Sequence, residues 1–175
     1  MDWAEAGRGW RYRAGVIQME VVGVRVELPS NTPIVLLREL EGAHRMLPIF
    51  IGGPEATAIA LALDEVNTPR PMTHDLIKNI LDAQGVALAR LEITELTNGT
   101  FYSEMYLKQD DASMVISARP SDGIALAIRM GAPIYAAEPV IDEAGYPADD
   151  EEEREDVVEQ FREFIDSVDP EDFAS

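Results

Sequence analysis

Polar residues suited to phosphate chemistry occur at three places in the chain, each at the start of a predicted helix. They are Glu55 at the first place, Arg70, Thr73, His74 and Asp75 at the second, and Arg119, Ser121 and Asp122 at the third. The first backbone N–H groups of a helix have no partner within the helix, so they attract anions. An arginine beside such a helix start therefore predicts a phosphate-binding site.

Two arginines of this set, Arg70 and Arg119, each stand directly before a proline. Proline restricts the backbone around it, which can hold a guanidinium in a fixed position for two parallel hydrogen bonds to phosphate or carboxylate. Each arginine could instead pair with an acidic neighbour such as Glu55 or Asp75. The sequence supports both interpretations equally.

Histidine and carboxylate side chains at the same places could activate water. His74, one of two histidines in the chain, can act as a general base or as a metal ligand near neutral pH. Glu55, Asp75 and Asp122 offer the oxygen ligands that Mg²⁺ or Mn²⁺ prefers, and such an ion would activate water for phosphodiester cleavage. Their spacing matches no metal motif, so the ion is expected from residue type alone.

A structural interpretation also fits the second and third places. Thr73 and Ser121 are typical N-caps, because a hydroxyl can accept a hydrogen bond from a backbone N–H of the first helical turn. Asp75 and Asp122 would then complement the positive end of the helix dipole. Taken singly, these four residues are explained by capping, and their grouping with two arginines favours a site.

Patterns of apolar residues predict the elements that position these groups. Alternation with a period of two predicts strands over 21–28, 34–40, 46–51, 86–96, 100–107 and 114–118, with a short extended piece at 133–135. Helices are predicted over 55–66, from Thr73 to a stop at Gly85, and over 123–130. The fold class is therefore α+β, with two antiparallel β-meanders packed with three core helices, plus an acidic C-terminal helical tail.

Negative charge is concentrated near the C-terminus. The chain has 175 residues and a net charge of −19, of which −11 falls within residues 149–172. Residues 1–148 carry the remaining net charge of −8, which argues against a broad basic surface for binding a nucleic-acid duplex. Any nucleic-acid site must therefore be a local basic pocket. No apolar run approaches the roughly 20 residues of a membrane span. With no cysteine and no export signal, the sequence predicts a cytoplasmic protein.

Three segments are predicted along the chain. Residues 1–18 form a flexible leader, with Met19 as an alternative start, residues 19–143 form the folded domain, and residues 144–175 form an acidic tail. Apolar residues in the tail recur at helical spacing: Val157, Val158, Phe161, Phe164 and Ile165. They predict an amphipathic helix that docks on the domain or on a partner.

Four blocks of sequence resemble the bifunctional nuclease (BFN) domain family. They are LPIFIGGPEATAIALAL at 47–63, PRPMTHDLI at 69–77, NGTFYSEMYL at 98–107 and ARPSDGIALAIRMGAPIY at 118–135. The resemblance implies a compact α+β fold, a homodimer, and degradation of both DNA and RNA, as reported for plant relatives. One departure is Gly123, where the family more often has alanine, and it is expected to loosen that helix slightly.

The resemblance also implies site residues at the matching motif positions: Glu55, Arg70, Thr73, His74, Asp75, Tyr102, Arg119, Ser121 and Asp122. In the nuclease hypothesis, Arg70 and Arg119 hold the phosphate and His74 or Glu55 activates water. Asp75 and Asp122 would bind the divalent ion. The resemblance thus implies a single site shared by the three helix starts.

The alternative hypothesis is a non-catalytic, dimeric binding or regulatory module. The same polar residues would then order two proline-containing loops, and the acidic tail would be an interaction arm. Aromatic residues on the predicted strand 100–107 bear on both hypotheses. Phe101 is expected in the core, whereas Tyr102 and Tyr106 would stack on a nucleic-acid base or, as the favoured interpretation, fill a subunit interface.

Overall fold

A mixed β-sheet and the helices packed on it form the described part of the chain. The computed structural model describes residues 15–27 and 30–148. Its strands are β1 (Val16–Glu27), β2 (Thr32–Glu39), β3 (Met46–Phe50), β4 (Ala87–Thr97), β5 (Thr100–Gln109), β6 (Ala112–Ala118) and β7 (Ile134–Ala137). Its helices are α1 (Gly53–Leu63), α2 (Thr73–Ala83), α3 (Pro120–Met130) and α4 (Glu138–Ala144). The predicted α+β class is confirmed.

The two predicted β-meanders are present and share one sheet. The strand order is β3-β2-β1-β7-β4-β5-β6, with β1 to β3 antiparallel in one half and β4 to β6 antiparallel in the other. β7 joins the halves, because it pairs antiparallel with β1 and parallel with β4. The sequence predicted β7 only as a short extended piece, since its role depends on strands distant in the chain.

The alanine-rich helices α1 and α3 pack against each other and against the sheet. Ala58 and Ala125 are buried in the main core, where small side chains allow close approach of the two helices. A methyl group added at Gly123 would overlap Cδ1 of Leu91 on β4. Glycine at this position therefore has a packing role, in addition to the helix loosening expected from the sequence.

Several element boundaries differ from those predicted, among them those of β1 and α1. β1 begins at Val16, so residues 16–18 belong to the sheet and not to the leader. α1 ends at Leu63 and not at Val66, because Glu65 adopts a left-handed backbone with a φ of 53°. A non-glycine residue in this region cannot continue a right-handed helix.

The folded domain also continues past its predicted end at residue 143. α4 was not predicted, because its seven residues are too few to display a clear helical pattern. After α4, Tyr146 forms a β-bridge with Met46 of β3. The tail helix predicted over 157–165 lies outside the described residues. Within the described ranges, no helix is long and apolar enough to cross a membrane.

Candidate functional site

The starts of α1, α2 and α3 come together through the packing of α3 against the other two helices. Each helix carries an acidic residue at its third position: Glu55 in α1, Asp75 in α2 and Asp122 in α3. Proline lies in the first turn of both α1 and α3, where its missing N–H breaks no helical hydrogen bond. Three locally equivalent acids therefore stand at neighbouring helix starts.

Arg119, the N-cap residue of α3, connects two of these acids. Its Nε donates to Oδ2 of Asp122 at 2.7 Å. Its Nη2 donates to Oε1 of Glu55 at 2.8 Å and to Oδ1 of Asp122 at 3.1 Å. These bonds raise the pKa of Arg119, with Asp122 the larger cause and Glu55 the smaller. Glu55, His74, Arg119 and Asp122 are called the Arg119 cluster below.

His74 joins the cluster from the protein interior. It is 8% exposed, and its Nε2 lies 3.1 Å from Oδ1 of Asp122. Burial acts to raise the pKa of Asp122, but the hydrogen bonds from Arg119 and then His74 outweigh it, so the pKa lies below its ordinary value of 3.8. Asp122 is therefore ionised at neutral pH and holds both the guanidinium and the imidazole.

A groove of about 360 Å³ borders the cluster. It lies between the end of β3, the β4–β5 turn and the start of α3, and its lining includes Phe50, Gly52, Thr100, Phe101, Arg119 and Ser121. The side chain of Arg119 is 67% exposed, and its Nη1 makes none of the hydrogen bonds found among the described residues. The guanidinium can therefore donate to a ligand in the groove while two carboxylates hold it.

Gly52 permits the position of Glu55. It is the N-cap residue of α1, and a methyl group there would overlap Oε2 of Glu55, which lies folded back over the helix start. Apart from its chain neighbours and the backbone of its own helix, a methyl group at the neighbouring Gly53 would meet nothing within 4 Å. The sequence alone does not indicate this contact, because the approach of a side chain three residues later leaves no pattern.

Asp75 belongs to a separate ion pair and not to the Arg119 cluster. Its Oδ1 accepts from Nε of Arg129 at 2.6 Å, and its Oδ2 accepts from the backbone N–H of Met72 at 3.0 Å. Nη1 of Arg129 also donates to the carbonyls of Ala58 and Ala125. Burial acts to raise the pKa of Asp75, but the bonds from Arg129 and then Met72 lower it below its ordinary value.

Arg129 was not predicted as a partner of Asp75. It stands in the last turn of α3, fifty-four positions further along the chain. Its side chain is only 8% exposed, and it joins α1, α2 and α3 from within the helical layer. No local feature of the sequence indicates that this side chain is buried or that it reaches Asp75, so packing alone assigns its role.

The other residues predicted for the second and third places have different positions. Arg70 is exposed and makes no ion pair within the part of the chain that the structure describes. Thr73 and Ser121 are not N-caps, because Met72 and Arg119 occupy those positions. Thr73 is exposed in the first turn of α2, whereas Ser121 is buried and lines the groove. The capping prediction was therefore wrong for both hydroxyls.

The aromatic residues of β5 are divided between the two faces of the sheet. Phe101 packs against the core, as predicted, and also lines the groove. Tyr102 is 47% exposed, and as the next residue of the strand it points to the opposite face. Tyr106 is 8% exposed beneath the guanidinium of Arg90, 3.8 Å from its ring centre. Burial, followed by its bond to Glu104, raises the pKa of Tyr106 to about 12.

The three carboxylates expected to hold a metal ion are divided between two arginines. Glu55 and Asp122 share Arg119, and Asp75 is held by Arg129. Among residues 15–27 and 30–148, no three histidine, aspartate or glutamate side chains are placed to hold a metal ion. Metal dependence stays a prediction, and no step below depends on a metal.

Comparisons with known proteins assign the family. Residues 35–149 match the family described as the bifunctional nuclease domain. An uncharacterised protein of Mycobacterium tuberculosis is 48% identical over 163 residues, which cover 89% of this chain and 97% of that protein. Bifunctional nuclease 2 of Arabidopsis thaliana is 29% identical over 112 residues, covering 61% of this chain and 34% of the plant protein.

Bifunctional nuclease 1 of Oryza sativa subsp. japonica is 27% identical over 117 residues, which cover 65% of this chain and 35% of the rice protein. The chain thus spans about a third of the length of these two plant relatives. The family match extends from β2 to the end of the described region and includes all four residues of the Arg119 cluster. The chain belongs to the bifunctional nuclease domain family.

Proposed function

We propose that the chain hydrolyses phosphodiester bonds of DNA and RNA at the Arg119 cluster. The names of the plant relatives support a nuclease activity. The main support from geometry is Arg119, a guanidinium that two carboxylates anchor and that remains 67% exposed beside a groove. An arginine held in this way is preorganised for an anion, since little side-chain freedom is lost on binding.

Arg119 binds the phosphate in this proposal. Its Nη1, which makes no hydrogen bond to the residues that the structure describes, donates to a non-bridging oxygen, and the positive charge stabilises the negative charge that grows on the phosphoryl oxygens during attack. Asp122 keeps the guanidinium turned toward the groove through its bond to Nε. Arg70, which lies exposed on the segment before α2, is a second cation for the flanking phosphates.

Hydrolysis adds one water across a P–O bond: a base takes one proton from the attacking water, and the leaving oxygen takes up a proton from that base or from solvent water. Glu55 is the first candidate acceptor, because its carboxylate adjoins Arg119 and therefore the bound phosphate. His74 is the alternative acceptor, held by Asp122 but only 10% exposed in its side chain. Glu55 is favoured as the proton acceptor because it contacts the guanidinium directly, whereas His74 does so only through Asp122.

A single strand fits the groove better than a duplex. Phe50, which is 57% exposed, and Phe101 both line the groove and present rings on which unpaired bases can stack. Residues 1–148 carry a net charge of −8, which disfavours a broad duplex surface. Stacking does not depend on the identity of the base or on whether the sugar is ribose or deoxyribose, which is consistent with cleavage of both DNA and RNA.

Cleavage of labelled single-stranded and duplex DNA and RNA tests the proposal, with purified wild type, Arg119→Ala, Glu55→Gln and His74→Ala. Lys108→Ala removes a different exposed cation and is the matched control. We expect cleavage by wild type and the control, and a loss of about 100-fold or more in Arg119→Ala. Parallel reactions with Mg²⁺, Mn²⁺ or EDTA test metal dependence. Equal cleavage by all variants would identify a contaminant.

A second candidate is binding of nucleic acid without hydrolysis. It is favoured by the pairing of side chains within the cluster. Glu55 and Asp122 both accept hydrogen bonds from Arg119, and His74 bonds to Asp122. In that case labelled single strands would bind wild type without cleavage, and Arg119→Ala would weaken binding. Binding that is equal in wild type and Arg119→Ala, with no cleavage, would exclude both functions at this site.

A further inference from the structure

Side chains on both faces of β2 are buried, but the four described helices all pack on the same face of the sheet. These helices form the main core together with Val35 and Leu37. Ile34 and Leu36 alternate with those residues and point to the opposite face, called the outer face below, yet they are 1% and 2% exposed. A bare sheet face would leave its side chains in water, so the outer face needs a cover that the described helices do not provide.

The described region ends on this outer face, beside the edge strand β3. Tyr146 packs with Val22, Leu36 and Met46 in a second apolar cluster, separate from the main core. Its backbone exchanges two hydrogen bonds with that of Met46, at 2.8 and 2.9 Å. Residues 149–175 follow almost directly and therefore start next to the surface that needs a cover.

A polar cluster in the outer face carries more negative than positive charge. Glu92 of β4 is 0% exposed, and Glu104 lies directly opposite it on β5. Nη2 of Arg90 lies 3.3 Å from Oε2 of Glu92, and the hydroxyl of Tyr106 donates to Oε2 of Glu104 at 3.0 Å. Oε1 of Glu92 has no hydrogen-bond partner among the described residues. Two carboxylates beside one arginine leave a formal charge of −1, which a second guanidinium would neutralise.

The tail contains an arginine within its predicted apolar stripe. Arg154 precedes Val157, Val158 and Phe161 by three, four and seven positions, so all four share one side of a helix. The other arginine of the tail, Arg162, lies about 100° from the centre of that stripe. The acids of the same stretch fall on the opposite side: Glu155, Asp156, Glu159, Glu163 and Asp166.

We propose that residues 154–166 pack as a helix on the outer face, with the apolar stripe against the sheet and Arg154 directed to Glu92 and Glu104. Two opposed carboxylates suit a guanidinium, because its N–H groups can bond to both. The acidic side of the helix then faces water. The sequence predicted a tail helix without its docking surface, and the outer face supplies that surface within the same chain.

The connection is long enough for this placement. β3 and β4 are separated by four strand spacings, which amount to about 19 Å. The six residues from 148 to 154 extend to about 20 Å. Residues 1–14 also contain arginines, but they join the described chain at Gly15, whose carbonyl accepts from the backbone N–H of Glu138 in α4. The tail is therefore the occupant that already starts in contact with the outer face.

Hydrogen exchange of the full chain, measured by mass spectrometry, tests the docking. We expect amides of 154–166 to exchange at least about tenfold more slowly than in a free peptide of the same sequence. Arg154→Ala should bring the rate close to that of the peptide, because Glu92 and Glu104 lose their second cation. Arg162→Ala is the matched control and should leave the rate unchanged.

A double variant tests whether Arg154 acts through the carboxylate. Glu92→Gln preserves the size of the side chain and should raise the exchange rate of 154–166 as Arg154→Ala does. The double variant should exchange no faster than either single variant, since both remove the same contact. Amides of α3 report whether each variant is folded. The Arg154→Ala result stands by itself if Glu92→Gln does not fold, because Arg154 lies outside the sheet and its helices.

A nitroxide attached to Glu159→Cys identifies the face, because the chain has no cysteine of its own. We expect the amide signals of Glu92 and Glu104 to broaden more than that of Leu76, which lies in α2 on the helical side of the sheet. Isotope-labelled wild type mixed with unlabelled, nitroxide-carrying protein should show no broadening. Broadening in the mixture would mean that the tail of a second copy occupies the face, contrary to the proposal.

Three further results would overturn the proposal. Tail amides that exchange as fast as the free peptide would mean that the tail does not dock. Equal protection in wild type and Arg154→Ala would exclude the contact with the carboxylates. Broadening of Leu76 in place of Glu92 would put the tail on the helical side. These measurements need no nuclease activity, so their result is independent of the function proposed above.

Discussion

Two arginine–carboxylate clusters lie in the helical layer, and they differ in how much of the arginine reaches solvent. Arg129 is 8% exposed in its side chain and divides its donors between Asp75 and two backbone carbonyls. Arg119 is 67% exposed and keeps Nη1 outside the hydrogen bonds found among the described residues. The first arginine connects helices, and the second faces a groove.

The difference teaches that residue type and local position do not assign a role here. Asp75 and Asp122 are both third residues of their helices, and each accepts from an arginine. The donors of a buried arginine that bond to three helices stabilise the fold, whereas an exposed guanidinium held by neighbours is available to a ligand. Substitutions in the two clusters should therefore separate stability from activity.

Arg129→Ala should give the largest effect on stability. It leaves the Asp75 carboxylate and the carbonyls of Ala58 and Ala125 without their donor, so we expect a loss of about 3 kcal/mol in the free energy of unfolding. Urea titration followed by circular dichroism measures it. Arg129→Lys should recover part of the loss, and a change below about 0.5 kcal/mol would refute the structural role.

Arg119→Ala should instead reduce cleavage strongly and stability only slightly. We expect cleavage to fall by about 100-fold or more, because the phosphate loses its donor. The free energy of unfolding should change by less than about 1 kcal/mol, since Arg119 is an exposed partner. Cleavage assays and urea titration on the same preparation compare the two. A loss of stability as large as that of Arg129→Ala would remove the contrast between the clusters.

Gly52→Ala should lower activity by displacing the carboxylate of Glu55. Its methyl group overlaps Oε2 of Glu55, so the carboxylate must shift away from Arg119, and we expect cleavage to fall by about 10-fold. Gly53→Ala is the control, because its methyl group meets nothing within 4 Å apart from its chain neighbours and the backbone of its own helix. Equal activity of the two variants would show that the position of Glu55 does not matter for cleavage.

Acid should lower the free energy of unfolding through both clusters. The pKa values of Asp75 and Asp122 lie below their ordinary 3.8, so both carboxylates stabilise the fold above that pH. This contribution is lost as the pH falls through the lower pKa of the folded state. Urea titrations from pH 7 to pH 2.5 should show the decrease, and Asp75→Asn should make it smaller. An unchanged pH dependence in Asp75→Asn would contradict the pairing with Arg129.

Much of the architecture could be predicted from local patterns. Alternating apolar residues located both meanders, and the helix starts at Glu55, Thr73 and Arg119 were indicated within a few residues. These features depend on neighbours within one or two turns, which the sequence displays directly. The short elements α4 and β7 were missed or understated, because four to seven residues carry little periodicity.

The sequence by itself determined the α+β class, the family resemblance and the set of polar residues at three helix starts. Only the tertiary structure decided which of them meet, placing Glu55, His74, Arg119 and Asp122 together and pairing Asp75 with Arg129. Partners from different helices stand 48 to 64 positions apart in the chain, and their contact depends on how α3 packs against α1 and α2. Helix packing is a long-range property of the core, and local residue patterns therefore do not specify it.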